Sequence, residues 1–219
     1  MILDELALKY SSDKSSSFHN YTKYYNLIFN DIKDNSLNIL EIGVATGASL
    51  KMWKEYFINS KIYGIDIESS CKKLEEDRIK IFIGGQDDPN FLNKTKSEIG
   101  SDLDIIIEDG SHYSVHQINS FKLTFPFLKS GGLYIVEDLH CSYIPSYRRG
   151  ESIIGVNFFK SLVDELNLNG KSPSCNKEFM ANKELTISQL EKENKPINYY
   201  EKYIESILFF PSMCIIKKC

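Results

Sequence analysis

The 219-residue chain is long enough to bury a sizeable core, and its 42% hydrophobic and 26% charged content is ordinary for one folded globular domain. A formal charge of −4, with Lys and Glu interleaved, offers no basic footprint for nucleic acid and no patch for an anionic membrane. Five cysteines without CxxC spacing argue against a disulfide framework or zinc site, and no leader-like or bilayer-length apolar run is seen, so a reducing, cytoplasmic setting is expected.

In chain order, residues 1–35 read as a helical cap segment, apolar at Leu3, Leu6, Leu8 and again at Tyr24, Leu27, Ile28 and Phe29. The aromatic stretch Phe18–Phe29 suits either the chain's own sheet or a second copy, and a homo-oligomer is the expectation. Five short apolar runs follow: Leu37–Ile42, Lys61–Ile67, Ile79–Ile83, Leu103–Ile107 and Leu133–Val136. Each is apolar on consecutive positions, as strands buried on both faces of a parallel sheet are. Helical patterns lie between them, at Ala48–Phe57 and Ser114–Leu128. The alternation predicts an α/β, Rossmann-like, doubly wound sheet with helices on both faces. Gly150–Leu168 reads as a helix covering its edge. Residues 169–198 read as an insertion or mobile cap, with a helix around Ile187–Glu193. Tyr203–Phe210 and Met213–Lys217, joined by Pro211-Ser212, predict an antiparallel C-terminal hairpin within the single domain 1–219.

In an open parallel sheet, ligands bind beyond the carboxyl ends of the strands where the strand order reverses. The turn there is Glu41-Ile-Gly43-Val-Ala-Thr-Gly47. Two glycines permit positive φ and close approach of a ligand, but the middle glycine of G-x-G-x-x-G is missing. That favours a cofactor without a pyrophosphate, and S-adenosylmethionine is one, its carboxylate placed to use the helix start near Ser49. Asp66 closes the second strand about 20 residues past the turn, the position from which an acid accepts ribose hydroxyls. Gln86, after the third strand, is placed for the adenine edge.

The fourth and fifth strands end in Glu108-Asp109-Gly-Ser-His112 and Glu137-Asp138-Leu-His140. Neighbouring strands lie about 4.8 Å apart, so Asp109, Glu137 and Asp138 meet at the rim. Converging carboxylates repel unless protonated or bound to a cation, and oxygen-only ligation suits Mg²⁺ or a similar hard divalent ion. The competing reading makes Asp109 a helix cap and the other two solvated loop acids. His112, three residues past Asp109, is placed to take a proton from an incoming hydroxyl. His116 reads as structural, and His19 and His140 carry no assigned role.

These residues together resemble the metal-dependent sugar O-methyltransferases of macrolide and tetracenomycin tailoring, related to the cephalosporin hydroxylase-like group. The resemblance runs from Leu8-Lys-Tyr-Ser-Ser-Asp-Lys14 through His19-Asn-Tyr-Thr22, the Gly-turn and Trp53-Lys-Glu-Tyr-Phe57, then Gly85-Gln-Asp87, Asp109-Gly-Ser-His112 and Glu137-Asp138 to Ser142-Tyr143. It implies Mg²⁺ on Asp109, Glu137 and Asp138, His112 as general base with Asp109 in the catalytic set, and a cofactor site including Ser12, Glu41, Gly43, Gly47, Ser49, Asp66, Gln86 and Asp109. The implied acceptor is a hydroxyl of a sugar or sugar-containing metabolite. The chain departs from the family at Ser11-Ser12, where Gly-Thr is usual, and at Gly85 and Glu108, where Asp is usual. Ser12 retains a hydroxyl; Gly85 lacks an acid near the adenosine. Methyl transfer to a phosphate-like or catechol-like oxygen, an oxidative or hydrolytic reaction, and a non-catalytic cofactor-binding subunit stand as alternatives.

Overall fold

The computed structural model describes residues 2–148, 150, 152, 154–167 and 199–219. The expected insertion at 169–198, with its helix around Ile187–Glu193, lies outside the described residues.

Seven strands form one sheet: β1 (Asn38–Ile42), β2 (Lys61–Asp66), β3 (Ile79–Ile83), β4 (Leu103–Glu108), β5 (Leu128–Val136), β6 (Ile204–Phe210) and β7 (Met213–Lys218), in the order β3-β2-β1-β4-β5-β7-β6. The first five pair in parallel, and β7 joins β5 and β6 antiparallel. This is the doubly wound sheet with a terminal hairpin that the strand runs predict. The order reverses beside β1, so the β1 and β4 ends flank the ligand crevice.

Strand alternation divides the core. Ile39, Ile62, Ile81, Ile105, Ile107 and Ile135 pack under α1 (Leu3–Lys9), α2 (Thr22–Phe29) and α3 (Ala48–Tyr56). Leu40, Ile65, Phe82, Ile106, Tyr134 and Val136 meet the opposite layer, α4 (Pro89–Ile99), α5 (Ser114–Thr124), α6 (Gly155–Asn167) and α7 (Tyr199–Tyr203). Trp53 anchors the first layer, fully buried against Tyr25 and Phe29 at ring separations of 5.0 and 5.9 Å.

Four local outcomes differ from the sequence reading. α4 forms where no helix was singled out: the Asp88 carboxylate caps the amides of Asn90 and Phe91, Pro89 opens the first turn, and Gly100 closes the helix in the left-handed conformation. α5 stops at Thr124 rather than Leu128, because Pro126 cannot continue it; a short 3₁₀ turn follows. β5 begins at Leu128 rather than Leu133, with a register irregularity against β4. The covering helix α6 starts at Gly155 rather than Gly150. Among the described residues, no helix is long and apolar enough to cross a membrane.

Candidate active site

A cavity of about 550 Å³ opens at the carboxyl ends of β1, β2 and β4. Ser12, Gly43, Ser49, Asp66, Gln86, Asp109 and His112 line it. Gly43 turns the chain out of β1 at φ 99°, and a β-carbon there would overlap the Asp109 carbonyl oxygen. Only glycine lets the β1 turn cross the end of β4 this closely.

Asp66 organises that turn. One carboxylate oxygen accepts from the amides of Val44 (2.8 Å) and Ala45 (3.0 Å), the other from Glu68 (2.8 Å). Burial works against ionisation, but the amides of Glu68, Ala45 and Val44 outweigh it and hold the Asp66 carboxyl below its usual range. Gln86 is similarly committed: its amide nitrogen donates to Glu108 (2.6 Å) and Ser120 (3.0 Å), and its oxygen accepts from the Ser111 amide (2.9 Å). Gln86 therefore fixes the β4–α5 loop while lining the cavity. Burial pushes its partner Glu108 up to about 8, against the pull of the Gln86 hydrogen bond.

Two expected cofactor residues do not line the cavity. Glu41 shares its strand face with Ile39 and points into the core, where one oxygen accepts from the Trp53 indole (3.0 Å) and the other faces Lys14 (3.3 Å). Burial pushes its carboxyl up to about 7, against the pull of Lys14. Gly47, at φ 75°, packs its backbone over Leu74 at the start of α3.

At the other end of the cavity, Asp109, His112 and Asp138 each bring one ligand atom within 4.8 Å of the others. His112 Nε2 lies 3.6 Å from Asp138 Oδ2, while its buried Nδ1 has no hydrogen-bond partner among the described residues. Both His112 (φ 59°) and Asp138 (φ 55°) adopt the left-handed conformation, an unfavourable one for residues bearing a β-carbon. The two carboxylates, beside the imidazole, fit a hard divalent ion, and among the described residues no cysteine sulfur belongs to the group. Glu137, also expected with this group, is buried next to Asp138, one oxygen accepting from Lys14 (2.8 Å) and the other from the Tyr25 hydroxyl.

Sequence reasoning assigned no role to the residues that hold these acids. Lys14 is fully buried and donates to Asp109 and Glu137 while facing Glu41. Burial alone would drive it neutral; the carboxylates of Asp109, Glu137 and Glu41 outweigh that and hold the ammonium well above its usual range. Tyr21 donates to Asp138 Oδ1 at 2.6 Å. His19 (3.9 Å) and His140 (3.8 Å) approach that oxygen, and His140 also meets the Ser212 hydroxyl at 2.6 Å. His116 sits between Ser111 Oγ (2.7 Å) and Asp87 (3.7 Å) on the cavity wall. The only sequence signal for Lys14 and Tyr21 was their place inside the motifs Leu8–Lys14 and His19–Thr22.

No family model matches the chain. It is 34% identical over 223 residues, 97% of this chain and 53% of the relative, to the 8-demethyl-8-alpha-L-rhamnosyl tetracenomycin-C 2'-O-methyltransferase of Streptomyces olivaceus. The L-olivosyl-oleandolide 3-O-methyltransferase of Streptomyces antibioticus is 36% identical over 178 residues, 75% of this chain and 46% of the relative. The chain thus spans about half the length of the curated relatives it matches. Among solved structures, the MycE methyltransferase of the mycinamycin biosynthetic pathway, in complex with Mg, SAH and mycinamycin VI, superposes with a TM-score of 0.82 at 28% identity, covering 100% of this chain and 53% of that one. The chain has the Rossmann-like methyltransferase fold of MycE and is similar, over about half of their length, to the sugar O-methyltransferases of the macrolide and tetracenomycin pathways.

Proposed function

We propose that the chain transfers a methyl group from S-adenosylmethionine to a hydroxyl of a sugar or glycosylated metabolite, assisted by Mg²⁺ or a similar divalent ion. The carrying observation is the juxtaposition of Asp109, His112 and Asp138 at the rim of the cavity lined by Ser12, Gly43, Ser49, Asp66 and Gln86. The glycosylated acceptors named for the relatives support the acceptor class.

When bound, S-adenosylmethionine supplies an electrophilic methyl and the ion supplies positive charge beside the acceptor oxygen. Asp109 and Asp138 present carboxylate oxygens to that ion. Glu137 joins them through the lone pairs that Lys14 and Tyr25 leave. The Gly43 turn and the amide-held Asp66 shape the nucleoside end, and Ser12 and Ser49 offer hydroxyls to the amino-acid end. His112 Nε2 would take the acceptor hydroxyl's proton, with Asp138 Oδ2 3.6 Å away to stabilise the imidazolium.

The test is label transfer from methyl-labelled S-adenosylmethionine to a panel of rhamnosylated and other glycosylated acceptors. Label should reach the acceptor with Mg²⁺, disappear with EDTA, and return when Mg²⁺ is restored. Equal transfer in EDTA would remove the metal from the reading; transfer to catechols or phosphates instead of sugars would replace the acceptor class.

A further inference from the structure

Lys14 is buried without any exposed surface, yet it comes from the loop that precedes the sheet. Its ammonium spans three strand ends at once: Glu41 on β1 (3.3 Å), Asp109 after β4, and Glu137 after β5 (2.8 Å). The ammonium donates hydrogen bonds to Asp109 and Glu137 and meets Glu41 Oε1, which has no hydrogen-bond partner among the described residues, as an ion pair. From the far side, the Trp53 indole holds Glu41 and the Tyr25 hydroxyl holds Glu137. The same loop supplies Ser11, Ser12 and Asp13 to the cavity wall. One lysine therefore shares Asp109 with the Asp109–His112–Asp138 group while neutralising acids that lie just behind it.

We propose that Lys14 is a built-in counter-cation that sets the divalent-ion affinity of this centre, with Glu41 as the remote acid that tempers it. The inference rests on the metal-assisted reading above. Four acids, Glu41, Asp109, Glu137 and Asp138, around a cation-free centre would hold a divalent ion tightly and slow its exchange with acceptor oxygens. A fixed positive charge against Asp109 and Glu137 repels a second cation and lowers that affinity. It also keeps the acids assembled when no divalent ion is bound, since like charges this close otherwise force the site apart. Lys14 is thus a positioning residue that acts through Asp109 and Glu137. Glu41, which does not line the cavity, acts one step further back by offsetting part of the lysine's charge.

The sign of the effect separates this role from a purely structural one. Removing the cation must tighten metal binding, and removing its remote counter-charge must loosen it. Damage to the fold would weaken both.

The experiment is Mn²⁺ binding by calorimetry and by electron paramagnetic resonance on wild type, Lys14→Met and Glu41→Gln, in mildly alkaline buffer, with S-adenosylhomocysteine affinity measured alongside. Lys14→Met should bind Mn²⁺ roughly tenfold or more tightly than wild type, and its melting temperature should rise more on Mn²⁺ addition. Glu41→Gln should bind Mn²⁺ several-fold more weakly with its S-adenosylhomocysteine affinity unchanged. If wild type binds no Mn²⁺, the metal reading itself fails. If wild type binds and Lys14→Met binds equally or more weakly, the role of Lys14 is overturned. Should Lys14→Met not fold, Glu41→Gln decides alone: weaker Mn²⁺ binding with intact S-adenosylhomocysteine binding supports the proposal. Unchanged Mn²⁺ binding, or loss of both ligands, overturns it.

Discussion

The two ends of the cavity are built on opposite principles. At the β1–β2 end the polar groups are spent on the protein itself: Asp66 accepts three backbone amides, and Gln86 is closed by Glu108, Ser120 and the Ser111 amide. What that end offers a ligand is a rigid surface of backbone and small side chains. At the β4–β5 end, two residues sit in left-handed backbone conformations and a buried imidazole nitrogen has no partner among the described residues. Unfavourable backbone and uncommitted polar groups persist only where surrounding contacts enforce them, and they gather where chemistry is done. Tyr21 holds Asp138, and Lys14 and Tyr25 hold the neighbouring Asp109 and Glu137. One end is a mould; the other is a held set of reactive groups.

The contrast is broken most severely at His112. His112→Gly removes the imidazole but also relieves the backbone at φ 59°. Turnover should fall about 10²–10⁴-fold. Affinity for S-adenosylhomocysteine, measured by calorimetry, should hold, and the melting temperature should not fall. A variant that kept its turnover would end the assignment of His112 as base. Gly43→Ala tests the mould in the complementary way. Its new β-carbon meets the Asp109 carbonyl oxygen at a φ that L-residues avoid, so the turn and the β4 end must separate. A loss of about 3 kcal/mol in urea unfolding is expected, with cofactor binding lost as well. Wild-type stability would mean that the close approach is not required.

The same division governs how much could be read from sequence. The parallel strands were legible because burial on both faces leaves unbroken apolar runs, and Asp66 at the end of β2, with Asp109, His112 and Asp138 just past β4 and β5, is placed at the crevice by the topology. α4 was equally encoded by Asp88, Pro89 and Gly100, but its largely polar interior, which buries only Leu92 and Thr95, concealed it. Glu41 was expected at the cofactor as the first residue of the Gly-turn motif. Alternation with Leu40 and Ile42 puts it on the Ile39 face, towards Trp53. Lys14 was illegible for a different reason: its contacts with Asp109 and Glu137 span 95 and 123 residues, and no local pattern records a pairing at that distance. The hold of Lys14 and Tyr25 on Glu137, which sets it apart from the adjacent Asp138, was illegible for the same reason.

Asp66→Asn and Asp138→Asn sharpen the comparison by exchanging the same chemical group at each end. Asp66→Asn leaves one side-chain oxygen to accept what two carboxylate oxygens accept now. Stability should drop by about 1.5–3 kcal/mol, and S-adenosylhomocysteine should bind more weakly while Mn²⁺ binding is retained. Asp138→Asn should do the reverse, lowering Mn²⁺ affinity about 10–100-fold with the cofactor held. If either variant lost both ligands equally, the two ends would not be separable.

The smallest effect is expected where the C-terminal hairpin touches the rim. Ser212, in the β6–β7 turn, reaches His140 Nδ1 at 2.6 Å, and its carbonyl accepts from Leu139 at 3.0 Å. His140 in turn lies 3.8 Å from Asp138, beyond direct hydrogen bonding. Ser212 also has φ 64°, so glycine is the informative replacement: it deletes the hydroxyl, relieves the backbone and leaves the carbonyl in place. These terms oppose each other, and Ser212→Gly should change stability by no more than about 0.5 kcal/mol. Tyr21, rather than His140, is the close partner that fixes Asp138 Oδ1, so kcat/KM should change by about threefold or less. A loss beyond tenfold would show that His140 orients Asp138 through the hairpin. The reactive end of the cavity would then include β6–β7 as well as β4 and β5.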